Sequence, residues 1–404
     1  MRVSNRIQSS LGTGLAAALL ALCGSSAALA ERYVLIPTQL VAPDGSLVPD
    51  RAVVVEDGKI VRVGEASAFE ADGDAIRIDG VLSPGLISLA SSLGVAGANA
   101  TSETVLPDLM VSDSFDPTDP NLALAVASGV TGAMIIPSPT NVVSGSSAFI
   151  TTHAPDGEWF IDRDGAMVFS FGPPVYDLNL GPTSRSGALV VLRNALEAAK
   201  NGDGDSRLKE VLDGERRVVS YCPAIDDVDA AFRVFDRYRV ETQIIHNEEA
   251  RLLAEALEST PTLVAMGPFG FSTPSWQIAG AGQVAETGSS VALIGGDGTD
   301  PGRALRTTAS LAVRYGLSAD AARRAMTGAA AEYAGVDDTV GSIERGQRAD
   351  LVVFSGDPLR LDSSVLWVMV GGEWVARPSS PAPADEEFDF SDTMSESTGE
   401  SEAR

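Results

Sequence analysis

The chain has 404 residues, of which 44% are apolar, 21% charged and 6% aromatic, a composition typical of a folded protein with one large domain or two ordinary ones. These values exclude collagen-like, coiled-coil and wholly disordered chains. The 29 basic and 55 acidic residues give a formal net charge of -26, which argues against nucleic-acid binding because that function needs a basic surface.

The first 30 residues predict a secretory signal peptide. Arg2 and Arg6 form its positive region, residues 11–23 are mostly Leu, Ala and Gly, and residues 28–30 form a small-x-small cleavage site before Glu31. The apolar run is shorter than the roughly 18 residues that a membrane span needs. We therefore predict an exported, periplasmic protein whose mature chain begins at Glu31 and contains no membrane span.

The segment that follows is predicted to be all β. Residues 33–41 and 76–78 have the apolar, β-branched character of strands. Residues 52–64 predict a hairpin, because two β-branched runs flank Asp57-Gly58, a pair suited to the positive φ angles of a tight turn.

From residue 85 to residue 337 strands alternate with helices. The apolar runs of strand character are residues 85–89, 132–136, 166–170, 217–221, 242–245, 262–266 and 291–294. The segments with helical spacing are residues 186–200, 228–238, 248–257 and 304–315, and one helix capped by Ser318 that runs to Ala334 before Gly335. This alternation predicts a parallel α/β fold, and the length suits a (β/α)8 TIM-like barrel.

Strands return at residues 349–354, 366–370 and 373–375. We therefore predict a small β-sandwich domain built from both ends of the chain, residues 31–84 and 338–376, around a barrel of residues 85–337. Residues 377–404 are rich in Pro, Ser and acidic side chains and predict a disordered acidic tail, because such a segment buries too little apolar area to offset its ordering entropy.

The histidines and cysteines are too few for a zinc site with several such ligands. They are His153, His246, Cys23 and Cys222. A lipoprotein would be acylated at Cys23, but Leu22 before it is bulkier than such sites prefer. His153 falls in a predicted loop and is expected to face solvent.

Three stretches share a pattern that spans most of the chain. They are the hairpin at residues 53–64, the segment Val-Leu-Ser-Pro-Gly-Leu-Ile-Ser at 81–88, and residues 340–359. Together they resemble the amidohydrolase superfamily, in which such segments open the β domain, lead into the first barrel strand, and return to the β domain. Residues 121–137, 143–148 and 184–185 are similar to the imidazolonepropionase-like branch of that superfamily.

The resemblance implies a (β/α)8 barrel with a metal at the carboxyl-terminal mouth, where the metal activates a water for attack on an amide, lactam or related C–N bond. The family ligands are usually two histidines on strand one, one each on strands five and six, and an aspartate on strand eight that also moves the proton. By position, His246 matches the strand-six ligand. Asp297 matches the strand-eight ligand and catalytic aspartate.

Other positions depart from the family pattern. Ala90 and Ser92 occupy the places of the two strand-one histidines, and neither side chain is a useful zinc ligand. The strand-five region offers no histidine but only Cys222 and the acidic pair Asp226-Asp227. Cys222 is expected to be a small apolar core residue.

These departures leave three hypotheses. The first is an exported pseudoenzyme with a degenerate metal site and no cofactor, which binds a small molecule at the barrel mouth or pairs with an active amidohydrolase paralogue. The second is a hydrolase of non-peptide C–N bonds with altered ligation, in which His246 and Asp297 hold a divalent metal such as zinc, helped by Asp226, Asp227 or Cys222. The third is a periplasmic ligand-binding or assembly module. The sequence indicates neither a substrate nor its binding residues.

Overall fold

The computed structural model describes residues 32–69, 71–73, 75–95, 103–179, 181–245, 249–258 and 260–376. The predicted signal peptide, the predicted acidic tail and His246 lie outside these residues. None of the helices in the described ranges combines the length and the hydrophobicity that a bilayer-crossing helix needs.

Strands and helices alternate through the middle of the chain, and strands occupy both ends. The strands are β1 (Arg32–Val41), β2 (Leu47–Pro49), β3 (Arg51–Glu56), β4 (Lys59–Glu65), β5 (Ala75–Pro84), β6 (Leu86–Ser91), β7 (Val130–Ile135), β8 (Val143–Ser146), β9 (Ala148–Thr151), β10 (Phe160–Asp162), β11 (Met167–Ser170), β12 (Val218–Tyr221), β13 (Gln243–Ile245), β14 (Leu263–Met266), β15 (Ser290–Leu293), β16 (Leu351–Phe354), β17 (Val365–Val370) and β18 (Glu373–Ala376). The α-helices are α1 (Pro120–Ala127), α2 (Arg185–Asn201), α3 (Ser206–Leu212), α4 (Ile225–Asp236), α5 (Ala250–Leu257), α6 (Ser275–Glu286), α7 (Pro301–Arg314), α8 (Ala319–Ala325) and α9 (Gly328–Ala334).

The two ends of the chain share one sheet. Its strand order is β18-β17-β16-β5-β1-β3-β4, with β2 paired to β1. The antiparallel pairing of β5 with β16, in which Pro84 lies opposite Leu351, joins the first part of the chain to the last. The predicted hairpin is confirmed as β3 and β4, and its turn residues Asp57 and Gly58 have φ angles of 49° and 75°.

The strands between these ends form two further sheets. Their orders are β10-β9-β7-β6 and β15-β14-β13-β12-β11-β8. The β6–β7 pair is parallel, and so are all pairs in the run from β11 to β15. A mixed α/β fold is therefore confirmed, and its parallel strands lie in two separate hydrogen-bonded sheets among the described residues.

The side chains on the two faces of the parallel strands belong to two different hydrophobic clusters, which we call the inner and the outer cluster. The inner cluster includes Leu89, Val219, Ile245, Ala265 and Ala292, which come from five different strands and are at least nine-tenths buried. Ala265 of β14 and Ala292 of β15 belong to the same cluster as the buried Tyr333 of α9. Helix α9 packs against β6, β14 and β15.

The prediction of one helix from Ser318 to Ala334 is wrong, because two helices occupy this segment. The predicted cap is present, since Ser318 Oγ accepts from Ala321 N–H, and Gly335 ends α9 at a φ of 71°. Between the helices Thr327 has φ -134° and ψ -95°, outside the helical region, and its hydroxyl donates to the Arg323 carbonyl at 2.9 Å. Such local side-chain bonding competes with continuation of a helix.

Candidate functional site at the ends of β6 and β15

The carboxyl end of β6 departs from regular strand geometry. The pairing of β6 with β7 shifts register between Ser88 and Ser91, and Ala90 between them has a φ of +51°. Side chains of a regular strand alternate between its two faces, so Ser91 and Ser92 would point in opposite directions. A bulge re-aims side chains, and a left-handed non-glycine residue costs on the order of 1 kcal/mol. The irregularity at Ala90 turns both serines toward the same partner.

That partner is Asp297, which follows β15. Ser91 Oγ donates to Asp297 Oδ1 at 2.7 Å. Ser92 donates to Oδ2 twice, from its backbone N–H at 2.6 Å and from Oγ at 2.7 Å. Ser91 Oγ in turn accepts from Leu93 N–H at 3.1 Å, which leaves the hydroxyl hydrogen of Ser91 for Asp297. We call Ser91, Ser92 and Asp297 the serine–aspartate cluster.

A cavity of about 280 Å³ opens beside the serine–aspartate cluster. Its wall contains the cluster and further residues from the starts of α1 and α7, and the lining residues are Ser88, Ser91, Ser92, Leu93, Asp119, Asn121, Val130, Asp297, Gly298, Thr299 and Pro301. Both carboxylate oxygens of Asp119 are engaged, because Oδ1 accepts from Asn121 N–H and Oδ2 from Gly94 N–H. Ser91 is buried, whereas Ser92 and Asp297 are exposed at the cavity.

The donor set of this cluster does not fit the metal that the family resemblance implies. A carboxylate offers about four lone-pair positions, and three of those on Asp297 already accept hydrogen bonds. The Ser92 N–H is a fixed backbone donor that cannot become a ligand. Ala90 has no ligating atom, and no group of three or more His, Cys, Asp or Glu side chains suited to a metal occurs in the described ranges.

The strand-five region is structural. Cys222 is fully buried in the hydrophobic core, as predicted, and burial together with the nearby Asp227 carboxylate raises the pKa of its thiol well above the ordinary value. A thiol in that state is a poor ligand, since the thiolate is the form that binds metals.

Both members of the acidic pair Asp226-Asp227 form ion pairs with Arg185. Asp227 is fully buried, and its Oδ1 accepts from Arg185 Nε at 2.9 Å while Oδ2 accepts from Ala224 N–H at 3.1 Å. Asp226 lies at the surface and accepts from Nη1 of the same Arg185 at 3.1 Å. A Cβ at Gly172 would lie 2.5 Å from Asp227 Oδ2, so glycine is required there. The pair therefore ties the start of α4 to the start of α2.

The other predicted residues, His153 and Asp297, lie in different parts of the structure. His153 lies in the loop between β9 and β10, where its side chain is about one-third exposed and its Nε2 is 3.5 Å from Glu373 Oε2. Asp297 lies beside the strand-one segment. Ser91 was not predicted to be a site residue, because the regular alternation of side chains along a strand places it on the opposite face from Ser92. Nothing in the local sequence signals the irregularity at Ala90.

Replacing Ser91 by alanine is expected to lower the free energy of unfolding by about 1–2 kcal/mol, because Leu93 N–H loses its acceptor and Asp297 loses a buried donor. Ser92→Ala is the matched control, and its cost should be about 0.5 kcal/mol because its N–H bond to Asp297 survives. Urea denaturation of a chain of residues 31–404 measures both. A larger effect for Ser92→Ala would contradict the assigned hydrogen-bond network.

Comparisons with known proteins support the resemblance that the motifs suggested. The model of the amidohydrolase family matches residues 245–375. The Amidohydrolase tasK of Hapsidospora irregularis is 24% identical over 395 residues, which cover 79% of this chain and 39% of that protein. The chain thus spans about two-fifths of that relative's length.

Solved structures share the fold. A crystal structure of an amidohydrolase from Thermotoga maritima MSB8 superposes with a TM-score of 0.76 at 24% identity, over 85% of this chain and 100% of the other. A prolidase complexed with N-methylphosphonate-L-proline superposes with a TM-score of 0.55 at 17% identity, over 86% of this chain and 100% of the other.

Proposed function

Because the chain belongs to the amidohydrolase superfamily, we propose that it is an exported, periplasmic member that has lost the hydrolytic metal site and binds a small polar molecule. The observation that carries this proposal is the Asp297 carboxylate, which accepts three hydrogen bonds from Ser91 and Ser92 where a ligating aspartate would face a metal. Ala90 and Ser92 stand where the family has histidines, which supports the same conclusion.

We further propose that the parallel strands close into a (β/α)8 barrel and that the eight-stranded sheet belongs to a separate β-sandwich domain. Closure is supported by the bonds from Ser91 and Ser92, at the end of the first parallel strand, to Asp297 beyond the last. Helix α9 also packs against both β6 and β15. Within the superfamily, residues 121–137 and 143–148 favour the imidazolonepropionase-like branch.

The cavity beside the serine–aspartate cluster favours a ligand that donates hydrogen bonds. Asp119 and Asp297 supply two carboxylates, and no basic side chain lines the wall. Asp297 retains about one free lone-pair position, and Asn121 and Thr299 add further polar groups. An amine, an amide or a polyol of a few heavy atoms therefore fits this cavity better than an anion, which the two carboxylates would repel.

Pairing with an active amidohydrolase paralogue is a second proposal. It is favoured by Leu178, Phe271 and Trp276, whose exposed fractions are 90%, 81% and 59%. They lie on segments that follow β11 and β14, on the carboxyl side of the parallel strands. Large exposed apolar side chains of this kind are typical of protein contact surfaces.

Elemental analysis tests the loss of the metal site. The mature chain from Glu31, freed of chelator, exposed to zinc or manganese and desalted, should retain far less than one metal per chain, because Asp297 is already hydrogen-bonded and Ala90 provides no ligand. About one tightly bound metal per chain, absent in His246→Ala, would instead support the hydrolase with altered ligation through His246 and Asp297. A metal-dependent hydrolysis of C–N substrates by the same sample would overturn the proposal outright.

A further inference from the structure

A second cavity, of about 570 Å³, lies at the amino ends of β12 to β15, the opposite end of these strands from Asp297. Its wall includes Arg217, Arg239, Gln243, Ser290 and Glu332. Neither the family resemblance nor the proposed function assigns a role to this end of the strands. We call this second cavity the amino-end cavity.

The amide of Gln243 has an unused acceptor in this cavity. Gln243 is only 9% exposed, and its Oε1 has no hydrogen-bond partner among the described residues. Gln243 lies opposite Val219 in the β12–β13 pairing, and Val219 belongs to the inner cluster. The Gln243 side chain is therefore on the interior face of the strands. A buried amide oxygen without a donor is costly, and a bound ligand with a donor group would remove that cost.

Arg217 supplies a positive charge beside this amide. It lies directly before β12 and lines the same cavity as Gln243. Its guanidinium donates to the carbonyls of Tyr333, at 3.1 Å, and Ala334. Among the described residues no carboxylate forms an ion pair with Arg217, and Asp162 and Asp337 act on its charge from farther away.

The other charges of the wall do not neutralise Arg217. Arg216 is paired with Asp164 and Glu210, and Glu332 is paired with Arg324. Arg239 and Glu241 lie exposed at the rim and offset one another. A surplus positive charge therefore remains inside this cavity in a chain whose formal net charge is -26.

We propose that the amino-end cavity binds a small carboxylic acid that carries a hydrogen-bond donor, a hydroxyl or an amide N–H, close to its carboxylate. The carboxylate pairs with the Arg217 guanidinium, which offers the fork of donors that planar carboxylates prefer. The donor group bonds to Gln243 Oε1. This site is independent of the proposed function, because it uses neither Asp297 nor the serine–aspartate cluster.

Calorimetric titration of the full mature chain with N-acetylglycine tests the proposal, with acetate as the matched probe that lacks the donor. N-acetylglycine should bind saturably, with a dissociation constant on the order of 1 mM or tighter, and at least about tenfold more tightly than acetate, since acetate leaves Gln243 unpaired. Asp297→Asn should leave this binding unchanged.

The variant Gln243→Leu distinguishes an effect on ligand binding from an effect on folding. It removes the unpaired acceptor from a buried position, so the variant should fold with an unchanged or raised Tm while its preference for N-acetylglycine over acetate disappears. Arg217→Met should abolish binding of both probes. Failure of N-acetylglycine to bind, or a preference that survives in Gln243→Leu, would show that the cavity holds only water and would overturn the proposal.

Discussion

Replacing Arg185 by alanine is expected to lower the free energy of unfolding by about 2–4 kcal/mol at neutral pH, because the buried Asp227 carboxylate then lacks its partner. This range is below that of fully buried pairs because the Arg185 side chain is 37% exposed. Asp227 is fully buried and accepts from Arg185 Nε at 2.9 Å. After the substitution the Ala224 N–H, at 3.1 Å, is the one hydrogen-bond donor to this carboxylate that remains within the described ranges. Removing one member of a buried ion pair costs far more than the pair itself contributes.

The companion variants identify which carboxylate matters. In the double variant Arg185→Ala with Asp227→Asn, much of the lost stability should return, because the buried group is then neutral. Asp226→Ala, which removes only the exposed partner of Arg185, should cost about 0.5 kcal/mol or less. Urea denaturation of the four proteins measures these values. Equal costs for Arg185→Ala with and without Asp227→Asn would contradict a buried charge at Asp227.

This experiment also bears on function. In the hypothesis of altered ligation, Asp226, Asp227 or Cys222 helps His246 and Asp297 to hold a metal, and the structure pairs both aspartates with Arg185. Asp227, which is buried and joins the starts of α2 and α4, cannot leave Arg185 for a metal without the destabilisation described above. The proposed loss of hydrolytic function is therefore consistent with how the strand-five region is stabilised.

Local signals in the sequence predicted most of the elements. The turn at Asp57-Gly58 was predictable because few residue pairs adopt two successive positive φ angles. Apolar runs predicted β6, β7 and β11 to β15, since buried parallel strands are nearly continuous in hydrophobicity. Helix α6 was not predicted, because Gly280 and Gly282 interrupt a segment with little polar periodicity.

The candidate site was less predictable, because it depends on backbone geometry that sequence patterns do not encode. Asp297 was predicted from family position, and the structure brings it to the strand-one segment. Ser91 was missed because the left-handed conformation of Ala90 breaks the alternation of side chains. No local pattern indicated that Arg185 pairs with Asp227 or that Arg217 donates to the Tyr333 carbonyl, because these partners lie 42 and 116 residues away along the chain.

The second large effect is expected at Arg323, which joins three segments of the chain. Its Nε and Nη2 donate to the two oxygens of Asp357 at 3.0 and 2.7 Å, and Nη1 donates to the Gly45 carbonyl at 3.0 Å. Arg323 is 6% exposed. Arg323→Ala should lower the free energy of unfolding by about 2–4 kcal/mol at pH 7, a range reduced from that of fully buried pairs because Asp357 is partly exposed.

Two further variants test whether the paired hydrogen bonds from the planar Arg323 guanidinium to both oxygens of Asp357, a fork, account for this stability. Arg323→Lys should recover only part of the loss, because an ammonium cannot bond both oxygens of Asp357 and the Gly45 carbonyl together. Arg360→Ala is the matched control, since Arg360 forms a similar fork with Asp362 but both side chains are 68% exposed. No measurable change is expected for that control. Full recovery in Arg323→Lys would show that charge alone, and not geometry, stabilises this contact.

The stability difference between the wild-type chain and Arg323→Ala should shrink in acid. Burial favours a higher pKa for Asp357, but the Arg323 guanidinium and the Leu359 N–H outweigh burial and hold that pKa below its ordinary value. A lowered pKa contributes stability above the unfolded value of about 3.9, and this contribution is lost as the pH falls through the folded value. In Arg323→Ala the guanidinium no longer counteracts the effect of burial, so Asp357 takes up its proton at higher pH. The free energy of unfolding of this variant therefore falls less on acidification than that of the wild-type chain. Urea denaturation at pH 7, 5 and 3.5 should give a difference that narrows toward the lowest pH, whereas a constant difference would show that Arg323 acts only through its bond to Gly45 and its packing.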